Sequence, residues 1–311
     1  MNRTKIDYVT HTWNPITGCL HGCPYCYARR QAERGLGAYG RLPKGERFKP
    51  RFWPGRLAEP LNAVKPRRVL VCSMGDLFGL GVSDNWRDEV LGVMGACAGR
   101  GFGHTFLVLT KRPEEARRYM TQDDTGSNVR VKMQENGWES REDLLNIAPP
   151  GSVLPDDPVW PLPNVWLGTS CEDQAAAGER IPLLLETPAA IRWVSLEPLL
   201  GPVDLGEWLY PWHTESAHAE DCDGTCRNCP VPVQVQDDLM LNWVVVGAQT
   251  GPGAVTPEEV WVRDIIRQCR EAGVPVFCKA NLGFPDLPRQ YPQGVELQTD
   301  LNPYEGHARE G

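Results

Sequence analysis

No stretch of this 311-residue chain approaches the ~18 continuous apolar residues of a membrane-spanning helix. A helical integral membrane protein is therefore excluded. The opening, Met1 to Pro15, is polar and lacks the apolar centre of a secretory signal. A cytoplasmic protein is expected. Internal repeats are absent, which sets solenoids and propellers aside. An excess of positive charge is missing too: 32 Lys and Arg face 40 Asp and Glu, for a net charge of −8. That argues against a surface that coats DNA all over.

What is present reads as globular. Apolar residues make up 41% and charged residues 23%, as in ordinary globular proteins. The length suits one large α/β barrel-type domain or two smaller ones. The charge is unevenly spread. Residues 1–120 hold 20 Lys and Arg against 10 Asp and Glu, whereas residues 121–311 hold 12 against 30. A basic N-terminal part suits a polyanion such as nucleic acid; the plainer reading is solvated surface charge. Eleven cysteines, an odd number in clustered positions, point in a cytosolic chain to metal or redox chemistry rather than disulfides.

Short β-branched runs alternate with helical patterns, the rhythm of βα units on a parallel sheet. The clearest strands are Val69–Cys72, Thr105–Leu109, Val165–Gly168, Ile191–Ser195, Trp243–Val246 and Val274–Phe277, with another around Thr12–Ile16. Their near-continuous apolar character predicts burial on both faces. Ser83 or Asp84 caps a helix that ends at Gly99–Gly101, and Thr256-Pro257-Glu258-Glu259 reads as a capping box for a helix that stops at Gly273. The barrel domain is expected over 1–283, with insertions at 121–163 and 211–238. Part of the first is expected to be helical near Arg141 to Ile147. An irregular tail is expected over 284–311.

Cys19, Cys23 and Cys26 follow a C-x3-C-x2-C spacing. Soft thiolates so spaced can converge on one metal centre, an iron–sulfur cluster or zinc. Three thiolates leave one iron of a cubane cluster open. With His21 or a distant fourth ligand, the same residues make a structural zinc site. Cys222, Cys226 and Cys229 repeat the spacing, with His218 four residues ahead. That set suits zinc or an auxiliary iron–sulfur cluster, in a loop too poor in apolar residues to order itself by packing.

The first cysteine set resembles the signature of the radical S-adenosylmethionine (SAM) superfamily. Several further blocks resemble a phage- and mobile-element-associated family of radical-SAM-like proteins, distantly similar to the spore photoproduct lyase group. They are Thr12-Trp13-Asn14-Pro15-Ile16-Thr17-Gly18-Cys19, Ser73-Met74-Gly75-Asp76-Leu77-Phe78, Leu109-Thr110-Lys111-Arg112-Pro113, Val165-Trp166-Leu167-Gly168-Thr169-Ser170, Ser195-Leu196-Glu197-Pro198-Leu199-Leu200-Gly201-Pro202 and Val245-Val246-Gly247. The chain departs where that family shows Phe-Lys-Gln-Trp-Gly: here stands Phe277-Cys278-Lys279-Ala280-Asn281-Leu282-Gly283.

The resemblance implies a partial or near-complete parallel (β/α) barrel. Cys19, Cys23 and Cys26 would hold a [4Fe-4S] cluster whose open iron chelates SAM. Reduction would cleave SAM to a 5′-deoxyadenosyl radical that abstracts hydrogen from the substrate. An electron donor is implied. In such barrels functional groups gather at the C-terminal strand ends. There, Ser73, Gly75 and Asp76 suit the SAM ammonium, and Lys111 and Arg112 its carboxylate or a substrate phosphate. Ser170, Glu172, Ser195 and Glu197 suit the ribose or substrate donors. Tyr25, Gly247 and Gln249 suit the adenine. Lys279 is a catalytic candidate, and Cys171 and Cys278 are candidate hydrogen-atom donors. The weakly favoured substrate is nucleic acid or a nucleotide base; a peptide or small metabolite fits the barrel equally. The rival from another class is a non-catalytic, zinc-stabilised binding protein.

Overall fold

Seven of the apolar runs form parallel strands, and they pair in chain order. The computed structural model describes residues 1–137, 160–210 and 239–292. The expected helix near Arg141–Ile147, the set His218, Cys222, Cys226 and Cys229, and the tail from 293 lie outside the described residues. The strands are β1 (Asn2–Arg3), β2 (His11–Trp13), β3 (Ile16–Thr17), β4 (Arg51–Phe52), β5 (Arg68–Val71), β6 (Thr105–Thr110), β7 (Val165–Ser170), β8 (Ile191–Leu196), β9 (Trp243–Val246) and β10 (Val276–Cys278). Eight of them make one sheet in the order β1-β2-β5-β6-β7-β8-β9-β10; β3 and β4 form a separate antiparallel pair. Among the described residues, only β1 runs antiparallel in the large sheet. The fold is mixed α/β with a mostly parallel sheet.

Alternation along the strands feeds two cores. Phe106, Val108, Leu167, Val194, Leu196 and Val244 face the helices and join one cluster. Leu70, Leu107, Trp166, Trp193, Trp243 and Phe277 face the other way and meet Tyr8. The Tyr8 ring stands edge-on to Trp193, Trp243 and Phe277 at 5.8–6.0 Å. Asp7 Oδ2 accepts from the Ala280 backbone N–H at 2.8 Å and from Arg289 at 2.6 Å. The segment between β1 and β2 thus reaches across to the region just past β10. The sheet is strongly curled around its aromatic inner face.

The helices are α1 (Tyr27–Glu33), α2 (Asp84–Gly99), α3 (Pro113–Met120), α4 (Thr125–Glu135), α5 (Gln174–Leu185) and α6 (Glu259–Ala272). Ser83 caps α2 as expected, its hydroxyl accepting from Trp86 N–H. The structure refines three sequence expectations. Within the expected insertion at 121–163, residues 125–135 are helical. They form α4, which buries Val129 and Met133 against α2, where Gly92 and Gly95 leave room for Lys132 and Met133. The capping box at Thr256 does not form: α6 starts at Glu259, with Glu258 at the N-cap and no side-chain cap bond. The expected strand over Thr12–Ile16 is split between β2 and β3, since Pro15 cannot donate a ladder bond.

Candidate functional site

The C-terminal ends of the parallel strands open into a cavity of about 690 Å³. The cysteine loop forms one wall. It leaves β3 through Gly18, whose N–H bonds Met74 O at 2.8 Å and which bridges Gly75 in the turn after β5. Gly18 has φ +85, and a Cβ there would lie 2.2 Å from Lys49 O, so only glycine fits. Cys19 N–H bonds Phe48 O at 3.0 Å. Asn14 Oδ1 accepts from Met74 N–H at 2.8 Å and Ser73 hydroxyl at 3.2 Å. The loop is therefore fastened to the turn after β5 and to residues 48–49.

Cys19, Cys23 and Cys26 all line this cavity. Cys26 is the N-cap of α1, its Sγ accepting from Arg29 N–H at 3.4 Å, and Cys19 Sγ accepts from His21 N–H at 3.4 Å. Burial pushes the Cys19 thiol up to about 11 and raises that of Cys23. Among the described residues, no set of three or more His, Cys, Asp and Glu side chains is drawn together to the spacing of a bound ion. The donor chemistry nevertheless fits a cluster. Three soft thiols share one cavity, and backbone N–H groups bond two of the sulfurs, as they do around iron–sulfur centres.

Behind the loop stands a chain of charges. Lys111 Nζ donates to Tyr25 hydroxyl at 2.9 Å and to Glu172 Oε2 at 2.6 Å. Arg180 Nη1 reaches the same Glu172 oxygen at 2.9 Å and Ser170 O at 2.6 Å. Burial alone would lower the Lys111 ammonium, but its bonds to Glu172 and Tyr25 outweigh that and raise it. Burial would likewise raise the Glu172 carboxyl, yet Lys111 and Arg180 hold it below its ordinary range. Asp76 lines the cavity, and its two oxygens accept from Thr110 hydroxyl at 2.8 Å, Phe78 N–H at 3.0 Å and Lys111 N–H at 3.0 Å. Burial raises its pKa against those three donors. Asp76 thus ties the turn after β5 to the end of β6.

The opposite wall carries Glu197 and Lys279, an ion pair joining the ends of β8 and β10. Gly247, past the end of β9, leaves the space they cross: a Cβ there would meet Lys279 Cδ at 2.9 Å and Glu197 Cδ at 3.0 Å. Ser195 is buried and lines the cavity, and its Oγ has no hydrogen-bond partner among the described residues. Ser170 and Gln249 also line it.

A model of the family described as "Protein of unknown function (DUF5131)" matches residues 3–289. The chain belongs to that family. The matched span contains every described site residue, from Asn14 to Lys279. No curated protein and no solved structure matches the chain.

In this family member the expected residues divide. Cys19, Cys23, Cys26, Tyr25, Ser73 and Gly75 share the cavity with Asp76, Lys111, Ser170, Glu197 and Lys279. Glu172 stands behind Lys111. Arg112 pairs with Glu114 instead. Cys171 and Cys278 do not line the cavity. Both are buried among apolar side chains on the helix-facing side of the sheet, where burial pushes each thiol up to about 12. Three site residues escape sequence reasoning. Arg30 bonds Tyr25 O and Thr250 O at 3.0 Å each, clamping the cysteine loop to the segment after β9. Arg180 fixes Glu172. Cys72 leaves β5 in a left-handed conformation (φ 54) and lines the cavity. The Tyr27-Ala28-Arg29-Arg30 run beside the cysteines was the available signal for Arg30.

Proposed function

We propose that the chain is a radical SAM enzyme and that its curled sheet is a partial (β/α) barrel of that superfamily's type. One observation carries the reading: the three motif cysteines line the same cavity as the polar residues at the ends of β5, β6, β8 and β10. Strand-end convergence is how parallel α/β folds build active sites.

Cys19, Cys23 and Cys26 would hold a [4Fe-4S] cluster, with the His21 and Arg29 N–H groups steadying two of the sulfurs. When bound, the cluster and SAM together supply a carbon-centred radical that takes a hydrogen atom from the substrate. The chain's own residues bind and orient. Lys111, held by Glu172 and Arg180, keeps a positive charge beside the cysteine loop for a carboxylate. Glu197 and Lys279 offer an acceptor and a donor on the facing wall, and Ser195 Oγ brings a hydroxyl with no partner among the described residues. Tyr8 and the tryptophans beneath close the inner end to water. A one-electron donor has to be supplied by a partner or reductant.

The test is the iron, sulfide and zinc content of protein purified without oxygen, beside the triple variant Cys19→Ala, Cys23→Ala, Cys26→Ala. The expected result is iron and sulfide that the triple variant loses, and SAM cleavage by the reduced wild type. Zinc alone in both samples after iron–sulfur reconstitution overturns the reading in favour of a zinc-stabilised binding protein. Intact SAM after incubation with reduced, cluster-loaded protein overturns the enzyme.

A further inference from the structure

Ion pairing is lopsided across the fold. Residues 29–56 contain nine Lys and Arg and two Glu. Among the described residues, only Lys49 of those nine has a carboxylate within 4 Å, that of Glu46. Elsewhere pairing is commoner: Lys111, Arg112, Arg117, Arg118, Lys132 and Arg180 each face an acidic partner. The basic segment is thus not balanced from within the described fold. Arg34, Arg41, Lys44 and Lys49 are exposed.

The segment is also held in shape. Arg47 donates to Leu42 O at 3.1 Å and Glu33 O at 2.7 Å, folding the stretch back onto the end of α1. Arg29 lies 5.5 Å over the Phe48 ring, and Arg56 lies 4.6 Å over Trp53. A guanidinium lying on a ring by its face still has edge N–H groups for a phosphate. Phe48 links this surface to the chemistry, since it lines the cavity and its carbonyl takes the Cys19 N–H.

We infer that residues 29–56 bind the phosphate backbone of a single-stranded nucleic acid, and that the adjoining cavity receives one of its bases. A row of unbalanced cations beside aromatic faces is the footprint of single-strand binding. A duplex would keep its bases stacked and out of a walled cavity. The facing wall suits a base edge, with Glu197 as acceptor, Lys279 as donor and Ser195 Oγ as either. In naming a substrate class this rests on the enzyme reading above; the binding step stands without it.

The test measures binding of fluorescent single-stranded DNA, single-stranded RNA, duplex DNA and anionic vesicles to the full chain across salt concentrations. The expected result is salt-sensitive binding of at least one single strand, tighter than of duplex or vesicles. The variant Arg34→Glu, Arg41→Glu, Lys44→Glu should weaken that binding by about tenfold or more and flatten the log–log salt slope by about 2, at about 0.7 per lost phosphate contact. A milder Gln replacement of the same three should lie between, with unchanged circular dichroism. No single-strand binding at low salt, equal binding of duplex or vesicles, or an unaltered triple variant overturns the inference. The two proposals fail separately. Strand binding by protein that leaves SAM intact overturns only the enzyme, and SAM cleavage without strand binding overturns only the nucleic-acid partner.

Discussion

Single side chains near the cysteine loop matter through their partners. Lys111 faces Tyr25, Glu172 and, through Glu172, Arg180. The Glu172 carboxyl is lowered from 4.5, so its stabilisation is full above that value and fades as pH falls through the lowered one. Lys111 is raised from 10.5, so its stabilisation is full below that value and fades as pH rises through the raised one. Lys111→Met is therefore expected to cost about 2 kcal/mol at neutral pH, a part-exposed version of breaking a buried pair. Urea titrations should show the gap to wild type shrinking toward both ends of the pH range. A gap that stays level from about pH 3 to 11 would sink this account. Asp76→Ala is expected to cost about 3 kcal/mol by orphaning three donors, and Asp76→Asn less, since its carbonyl keeps Thr110 and Phe78. Sequence marked Lys111, Glu172 and Asp76 because each follows an apolar strand. It did not mark Arg180 or Arg30, because their partners are set by folding: Arg30 and Thr250 lie 220 residues apart.

At the scale of elements, the buried parallel strands were the legible part. A strand covered on both faces must be apolar throughout, so Thr105–Thr110 and Val165–Ser170 announce themselves. The two-residue strands β1, β3 and β4 carry too short a pattern to be read. The capping box misled because Pro257 is buried ahead of α6 rather than serving as its first helical residue. The cysteine loop offers a sharper test of how sequence sets an element. Gly18 and Gly22 both have positive φ, +85 and +87, but a Cβ at Gly18 strikes Lys49 O whereas one at Gly22 meets nothing within 4 Å. Gly22→Ala should cost about 1 kcal/mol, the conformational term alone. Gly18→Ala should cost about 3 kcal/mol or more, because it adds a backbone clash to that strain. If Cys19 holds a cluster as proposed, Gly18→Ala should also loosen iron retention by parting Cys19 from residues 48–49. Equal melting shifts for the two variants would show that the Lys49 contact is dispensable.

On the scale of the whole molecule, the curl of the sheet is what makes a site of scattered strand ends, and the inner aromatic cluster holds that curl. Tyr8 is fully enclosed by Trp193, Trp243 and Phe277, and Arg68 and Tyr291 continue the stack. Tyr8 also lines the cavity, so one ring serves as core for the fold and as floor for the site. Its neighbour Asp7 ties the same segment to Ala280 and Arg289. Removing the ring should therefore act on both levels at once. Tyr8→Ala is expected to cost about 4 kcal/mol, in the range of large aromatic deletions, whereas Tyr8→Phe keeps the packing and should cost about 1 kcal/mol or less. Because the cluster spans β5 to β10, tryptophan emission and far-ultraviolet circular dichroism should change in one coincident thermal transition in wild type and both variants. An earlier, separate tryptophan transition in Tyr8→Ala alone would mean that the segment after β1 docks onto a sheet already curled without it, and the cavity floor would then owe nothing to Tyr8.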